Sequence, residues 1–87
     1  MRVSVILPAY NEAANIAAVV KGVQAQGVDE IIVVNDGSTD ASEDVLYELL
    51  RSVPSLRTIR HLRNLGLGKA LESGFAAARG DIVVTMD

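Results

Sequence analysis

The feature that most constrains the fold of this chain is the alternation of short β-branched runs with longer helical segments. Strands are predicted at 2–7, 30–34, 56–62 and 82–84. The segments between them carry apolar residues at helical spacing. A strand-helix-strand unit repeated three times with short loops predicts a parallel sheet with right-handed crossovers. We therefore expect a three-layer α/β fold with four mainly parallel strands and three helices.

The composition of each strand predicts its place in the sheet. Two of the strands are unbroken apolar runs, as is typical of strands covered on both faces, and we expect the first and fourth at the centre. The third alternates and carries arginines, which is typical of an edge strand. The predicted order is 3-2-1-4, with a topological switch point between strands 1 and 4. Sheets of this kind bind ligands beyond the carboxyl ends of their strands, at that crevice.

Local signals predict where the helices begin, end and face the sheet. Asn11 is the predicted N-cap of the first helix, which Gly27 closes. Asp40 and Glu43 form a predicted capping box for the second helix, which Pro54 ends. Residues expected on the buried faces are Ile16, Val19, Val20, Val23, Val45, Leu46, Leu49 and Leu50, and, in a third helix over 67–79, Leu71, Phe75 and Ala78.

Composition narrows the classes of function. The chain of 87 residues, 49% of them hydrophobic, is long enough for one domain and too apolar for disorder. It has no cysteine and one histidine, which excludes thiolate sites and imidazole clusters. Its net charge of −3 argues against nucleic acid as a partner. No apolar run is long enough for a membrane segment, and we expect a cytoplasmic location.

Polar residues converge on one rim of the predicted sheet. They follow the carboxyl ends of strands 1 to 3 at 8–12, 35–40 and 63–69, and strand 4 runs to Asp87. The turns at the opposite end are short and plain. We interpret this asymmetry as evidence for a ligand site at the carboxyl rim.

Each loop also has a purely structural interpretation. Residues 35–38 are either an ordinary turn or a carboxylate that accepts hydrogen bonds from a base or ribose. Residues 66–69 are either a flexible helix entry or backbone N–H groups and an ammonium that bind a diphosphate. The P-loop spacing and the three-glycine dinucleotide fingerprint are both missing. A DNA-binding hairpin at 65–70 conflicts with the acidic balance of the chain.

The third strand carries a small group of basic residues. Arg57, Arg60 and Arg63 form a cationic patch that we interpret as a solvated edge, which discourages pairing with other strands. His61 lies among them and is expected to be a solvated edge residue rather than a base.

Taken together, four stretches resemble the N-terminal, nucleotide-binding part of a family-2 glycosyltransferase with the GT-A fold. They span essentially the whole chain, in order and at family spacing: 3–12, 30–40, 64–71 and 78–87. The sequence of residues 64–75 and 85–87 is most similar to that of polyprenyl-phosphate sugar transferases of the dolichol-phosphate mannose synthase kind. The resemblance implies the Rossmann-like half of that fold.

The resemblance also implies a role for individual residues. Asp36 would contact the base, with Asn35 standing where the family more often has a second Asp. Asp87 matches the first carboxylate of the family's D-x-D motif, which holds the ribose and, with its partner, a Mg²⁺ or Mn²⁺ ion on the diphosphate. Further residues implied in nucleotide binding are Pro8, Ala9, Tyr10 and Glu12 around the base and ribose, and Asn64, Gly66 and Lys69 beside the nucleotide.

The resemblance gives the chain no catalytic residue. The second acid of D-x-D and the acceptor half with its base do not occur in residues 1–87, so we expect one truncated nucleotide-sugar-binding domain that does not itself transfer sugar. An uncovered fourth strand predicts a homodimer through 81–86. The alternative is a nucleotide-binding regulatory or interaction module without catalysis.

Overall fold

The computed structural model describes residues 1–86, in which strands and helices alternate along the chain. The elements are β1 (Val3–Ala9), α1 (Ile16–Gln24), β2 (Glu30–Asp36), α2 (Ser42–Ser52), β3 (Leu56–His61), α3 (Leu67–Ala77) and β4 (Ile82–Thr85). All neighbouring strands are parallel, and their order is β3-β2-β1-β4. The predicted fold class and strand order are therefore confirmed.

Helices cover the two faces of the sheet unequally. One face packs against α1 and α2, where Val5, Leu7, Ile31 and Val33 of the central strands meet apolar side chains of both helices. On the other face, the buried side chains of the central strands pack with Ala70 of α3. Every residue of β2 is buried, because β2 has a strand on each side and helices on both faces.

The outer strands differ from the prediction in one respect. Within residues 1–86, β4 is an outer strand next to β1, so the expectation that the fourth strand is central is wrong for this part of the chain. β1 also continues through Pro8 to Ala9 instead of ending at Leu7. The register between β1 and β4 ends at Ile6, so Pro8 lies where the described β1 pairs only with β2 and its missing N–H is tolerated.

Helix starts and faces account for the remaining differences. Asn11 is not an N-cap: it has a φ of +53°, and α1 begins only at Ile16. Phe75 was expected to face inward, but it is 53% exposed. The small residues Ala70 and Gly74 make the close contact of α3 with the sheet instead. Two further side chains expected to be buried, Val19 and Leu50, are also exposed.

A buried carboxylate joins the strands at the amino end of the sheet. Glu30 Oε1 accepts hydrogen bonds from Ser4 Oγ at 2.8 Å and from the Arg79 amide at 2.9 Å, and Oε2 accepts from Arg57 Nη1 at 2.6 Å. Burial alone would raise the pKa of Glu30, but these bonds and the charge of Arg57 outweigh burial and lower the pKa to about 2. The amide of Gly80 donates to Ser4 Oγ, which ties the entry of β4 to the same group.

No helix within residues 1–86 is long and apolar enough to cross a membrane.

Candidate functional site

The carboxyl ends of β1 and β2, the loop after β3 and the first turn of α3 line an open cavity of about 300 Å³ at the carboxyl rim of the sheet. It is lined by Pro8, Ala9, Tyr10, Asp36, Asn64, Gly66, Leu67 and Ala70. A larger depression of about 660 Å³ lies between α1 and α2, on the helical face and away from the converging loops. The rim cavity is at the lower end of the range typical of small-molecule sites, and it combines apolar walls with a carboxylate.

Protein donors hold the Asp36 carboxylate at the end of β2. Oδ1 lies 2.8 Å from His61 Nδ1 and accepts from the Leu65 amide at 3.0 Å, while Oδ2 accepts from the Gly66 amide at 2.9 Å. The side chain of Asn64 donates to the carbonyl oxygen of Asp36 at 3.3 Å. The loop after β3 is therefore wrapped around this one residue.

These contacts keep Asp36 ionised. Burial alone would raise the pKa of the carboxyl group, but the hydrogen bonds from His61 and from the amides of Leu65 and Gly66 outweigh it. The pKa of Asp36 lies below its ordinary value of 3.8. Asp36 thus presents a negatively charged acceptor to the cavity.

His61 does not lie at a solvated edge as expected. Its side chain is only 11% exposed, with Nδ1 at Asp36 and Nε2 2.8 Å from Ser73 Oγ in α3. The cause is register: His61 is the partner of Asp36 across β2 and β3, so both side chains lie on the same side of the sheet. The prediction was wrong because the sequence of one strand does not reveal its register with the next.

Asn35 is buried but does not line the cavity. Its Nδ2 donates to Glu43 Oε1 at 2.8 Å, and its Oδ1 accepts from the Ser38 amide at 3.3 Å. The predicted capping box is not formed: Ala41, not Asp40, is the N-cap of α2, Asp40 accepts from the amide of Ser42 at 2.9 Å, and Glu43 bonds to Asn35. A role of Asn35 in nucleotide binding stays a prediction, and its contacts connect β2 with α2.

Asn11 joins the loops after β1 and β2. Its Oδ1 accepts from the amides of Thr39 at 2.7 Å and Asp40 at 3.2 Å, and its own amide donates to Ser38 Oγ at 2.9 Å. The hydroxyl of Ser42 is the main cause that lowers the pKa of Asp40, whose other oxygen accepts from the amide of Ala13. These bonds hold the loop after β1, which carries Tyr10, beside the loop after β2.

Gly37 allows the β2 loop to approach the β3 loop closely. It has a φ of +71°, and a Cβ at this position would overlap the backbone of Arg63 and Asn64. Gly66, with a φ of +97°, is the N-cap of α3 and donates its amide to Asp36. Glycine is the residue that adopts such conformations at little cost.

Other predicted residues lie next to the cavity or beyond it. Glu12 lines a separate small cavity that it shares with Pro8 and Met86. Lys69 forms an exposed ion pair with Glu72, with 3.4 Å between Nζ and Oε2. Asp87, predicted to bind nucleotide and metal, lies outside the described residues.

The sequence analysis missed two lining residues. Leu67 and Ala70 belong to the first turn of α3 and form an apolar wall of the cavity. Helical spacing from Gly66 could have found Ala70, because the fourth residue after a loop glycine returns to the same side of the helix.

The described residues do not by themselves form a metal centre. Within 1–86, no group of three or more His, Cys, Asp or Glu side chains is placed to hold a metal ion. The hydrogen-bonded carboxylate of Asp36 and the apolar walls fit an organic ligand better than a hard cation, which requires several oxygen ligands.

This chain is similar in sequence to known proteins. The family described as glycosyl transferase family 2 matches residues 4–87. A dolichol-phosphate mannosyltransferase of Pyrococcus furiosus is 39% identical over 90 residues, which cover 100% of this chain and 25% of the relative. The chain therefore spans about a quarter of the length of the curated relatives it matches.

Two solved structures are similar in fold. A mannosyltransferase from Pyrobaculum calidifontis in complex with GDP-Man and Mn²⁺ superposes with a TM-score of 0.85 at 28% identity, covering 94% of this chain and 26% of that protein. TarS of S. aureus in complex with UDP superposes with a TM-score of 0.87 at 27% identity, covering 100% of this chain and 27% of TarS.

Proposed function

Because the chain belongs to glycosyl transferase family 2, we propose that it binds the nucleoside diphosphate part of a nucleotide-sugar donor. In the longer protein, this donor-binding part would serve an inverting enzyme that transfers the sugar to an acceptor such as a polyprenyl phosphate. The similarity to a dolichol-phosphate mannosyltransferase supports that acceptor class. The solved structures with GDP-Man and with UDP support a nucleotide as the ligand.

The observation that carries the proposal is the ionised Asp36 carboxylate at the cavity. A carboxylate fixed by protein donors accepts a hydrogen bond from a ring N–H or a ribose hydroxyl without having to reorganise. Tyr10, which is 46% exposed at the same rim, offers a ring face to a base. Pro8 and Ala9 line the same cavity.

A divalent cation is proposed for the longer protein. The similar mannosyltransferase structure contains Mn²⁺ with its nucleotide sugar. Mg²⁺ or Mn²⁺ would be held by Asp87 together with ligands that residues 1–86 do not supply. Bound there, the cation would neutralise charge on the diphosphate leaving group.

We propose that the 87 residues do not transfer sugar on their own. Within 1–86, Asp36 is the one carboxylate that lines the cavity, and protein donors already occupy most of its acceptor sites. No transfer from UDP-glucose or GDP-mannose to a polyprenyl phosphate is expected from the chain alone. Measurable turnover would contradict this proposal.

The binding proposal is tested by amide NMR titration of the chain with UDP and GDP, with and without Mg²⁺. We expect shifts at 9–12, 36–38 and 64–69, and an Asp36→Asn variant should bind about tenfold more weakly, the loss of roughly one charge-assisted hydrogen bond. Asp44→Asn, on the exposed side of α2, is the matched control. No shifts at millimolar nucleotide would refute the function and favour the interaction module.

A homodimer through β4 is also proposed. Ile82, Val84 and Met86 are exposed large hydrophobic side chains at an outer strand of the described sheet. Such an edge pairs readily with a second strand. Light scattering after size exclusion should give a dimer, and Val84→Lys should give a monomer. A wild-type monomer at high concentration would contradict the proposal.

A cytoplasmic location is proposed as well. The sequence has no cysteine, and chains without disulfides are typical of reducing compartments. Cell fractionation with an antibody to the chain should recover it with cytoplasmic markers or on the cytoplasmic face of a membrane.

A further inference from the structure

The side chains of Asp36, His61 and Ser73 form a continuous chain of contacts from the cavity into α3. We infer that His61, anchored by Ser73, is a positioning residue that orients the Asp36 carboxylate so that it offers a ligand one acceptor site, on Oδ2. The inference rests on the proposed nucleotide binding at this cavity. It gives a role in ligand binding to His61, which does not itself line the cavity.

The neighbours of His61 determine which ring nitrogen carries the hydrogen that faces Asp36. Asp36 is ionised and can only accept, so the hydrogen on the 2.8 Å contact between Asp36 Oδ1 and His61 Nδ1 must belong to Nδ1. In the neutral ring, Nε2 is then an acceptor, and the hydroxyl of Ser73 donates to it at 2.8 Å. The two contacts therefore hold the imidazole in one orientation, with a hydrogen on Nδ1 whether the ring is neutral or protonated.

The acceptor sites of Asp36 can be counted. A carboxylate has about four lone-pair sites, two on each oxygen. Among the described residues, His61 and the Leu65 amide occupy both sites of Oδ1, and the Gly66 amide occupies one of Oδ2. The second site of Oδ2 is left for a ligand in the cavity. A ligand group that fits is a single N–H or O–H donor, such as the one ring N–H of uracil.

The three side chains contact one another in the same sequence as the Asp-His-Ser triad of hydrolases, but the residue that faces the ligand is at the opposite end. In a hydrolase the serine meets the substrate and the aspartate is buried behind the histidine. Here Asp36 lines the cavity, and Ser73 is not among the lining residues. The serine is therefore the anchor, and the carboxylate is the group that meets the ligand.

Three variants of the full chain and one control variant test the inference, with UDP as the probe and calorimetry or NMR as the readout. His61→Leu removes both contacts, and we expect UDP to bind about tenfold more weakly. His61→Asn keeps a donor at the position of Nδ1 and should restore affinity to within about threefold of wild type. Ser73→Ala should cost about threefold, whereas Ser52→Ala, a serine of α2 far from the cavity, should cost nothing.

A spectroscopic measurement keeps the test valid if His61→Leu fails to fold. Long-range ¹H–¹⁵N spectra of the wild-type imidazole should show the tautomer protonated at Nδ1. The tautomer protonated at Nε2, or equal UDP affinity in His61→Leu and His61→Asn, would overturn the inference. If wild type binds neither UDP nor GDP, the proposed function itself fails. If wild type binds and only Asp36→Asn weakens binding, the function stands and the role of His61 does not.

Discussion

Replacing Glu30 with glutamine tests how much stability the buried carboxylate at the amino end of the sheet supplies. Glu30 is 5% exposed and receives hydrogen bonds from Ser4, Arg57 and the Arg79 amide. These donors belong to β1, β3 and the turn before β4, so a single side chain links the strands of the sheet. Glutamine has the same shape but carries no charge, and its NH₂ group cannot accept the bond from a donor.

The expected loss of unfolding free energy follows from the lowered pKa of Glu30. Glu30 has an ordinary pKa of 4.5 and a folded pKa of about 2. At about 1.4 kcal/mol for each pKa unit, the difference corresponds to ~3 kcal/mol of unfolding free energy. Because the pKa of Glu30 is lower in the folded state than in the unfolded state, this stabilisation is present above pH 4.5 and is lost as the pH falls through about 2.

Urea denaturation between pH 7 and pH 2 measures this contribution. At pH 7 we expect Glu30→Gln to lower the unfolding free energy by ~3 kcal/mol, because it leaves Arg57 without a buried counter-charge. The variant should also lose the matching part of the pH dependence. Glu48→Gln is the control, since Glu48 is 72% exposed in a 3.9 Å pair with Arg51 and should change stability little. An unchanged pH profile in Glu30→Gln would refute the reasoning.

Glycine substitutions give further predictions for the same assay. Gly74→Ala should destabilise by ~1–3 kcal/mol, because the new Cβ overlaps the buried side chain of Ile6. Gly22→Ala, also in a helix but facing open space, should stabilise by up to ~1 kcal/mol; equal effects of the two would contradict this packing argument. Gly37→Ala should cost ~2–5 kcal/mol, because it combines a positive φ with overlap against the backbone of Arg63. Wild-type stability in that variant would mean that the two loops do not touch.

The layout of the sheet could be predicted from sequence because it depends on local composition. The arginines and alternating pattern of β3 predicted an edge strand, and β3 lies at an edge in the order β3-β2-β1-β4, whereas the central place expected for the fourth strand was wrong within residues 1–86. That Asp36 and Asn64 lie at the same cavity could be predicted for a similar reason. Asp36 ends β2 and Asn64 lies in the loop after β3, and the carboxyl ends of parallel strands meet at one rim.

Register and helix rotation could not be predicted in the same way. His61 contacts Asp36, and Ser4 contacts Glu30, because each pair is in register across two strands, which no single segment encodes. The helical spacing of apolar residues predicts that Phe75 packs on the sheet. Instead α3 approaches the sheet through Gly74, and Phe75 faces solvent. Both errors arise where an interaction between segments decides the outcome.

A comparison of the two buried carboxylates gives a last prediction. Glu30 and Asp36 lie at opposite ends of β2, and each collects donors from neighbouring segments. Glu30 is covered by the guanidinium of Arg57, whereas Asp36 faces the cavity. Glu30→Gln should therefore lower stability while the folded fraction binds UDP with wild-type affinity. Asp36→Asn should lower both stability and affinity. UDP titration at a temperature where both variants remain folded measures the two affinities. If Glu30→Gln loses as much UDP affinity as Asp36→Asn, the amino end of the sheet also shapes the site.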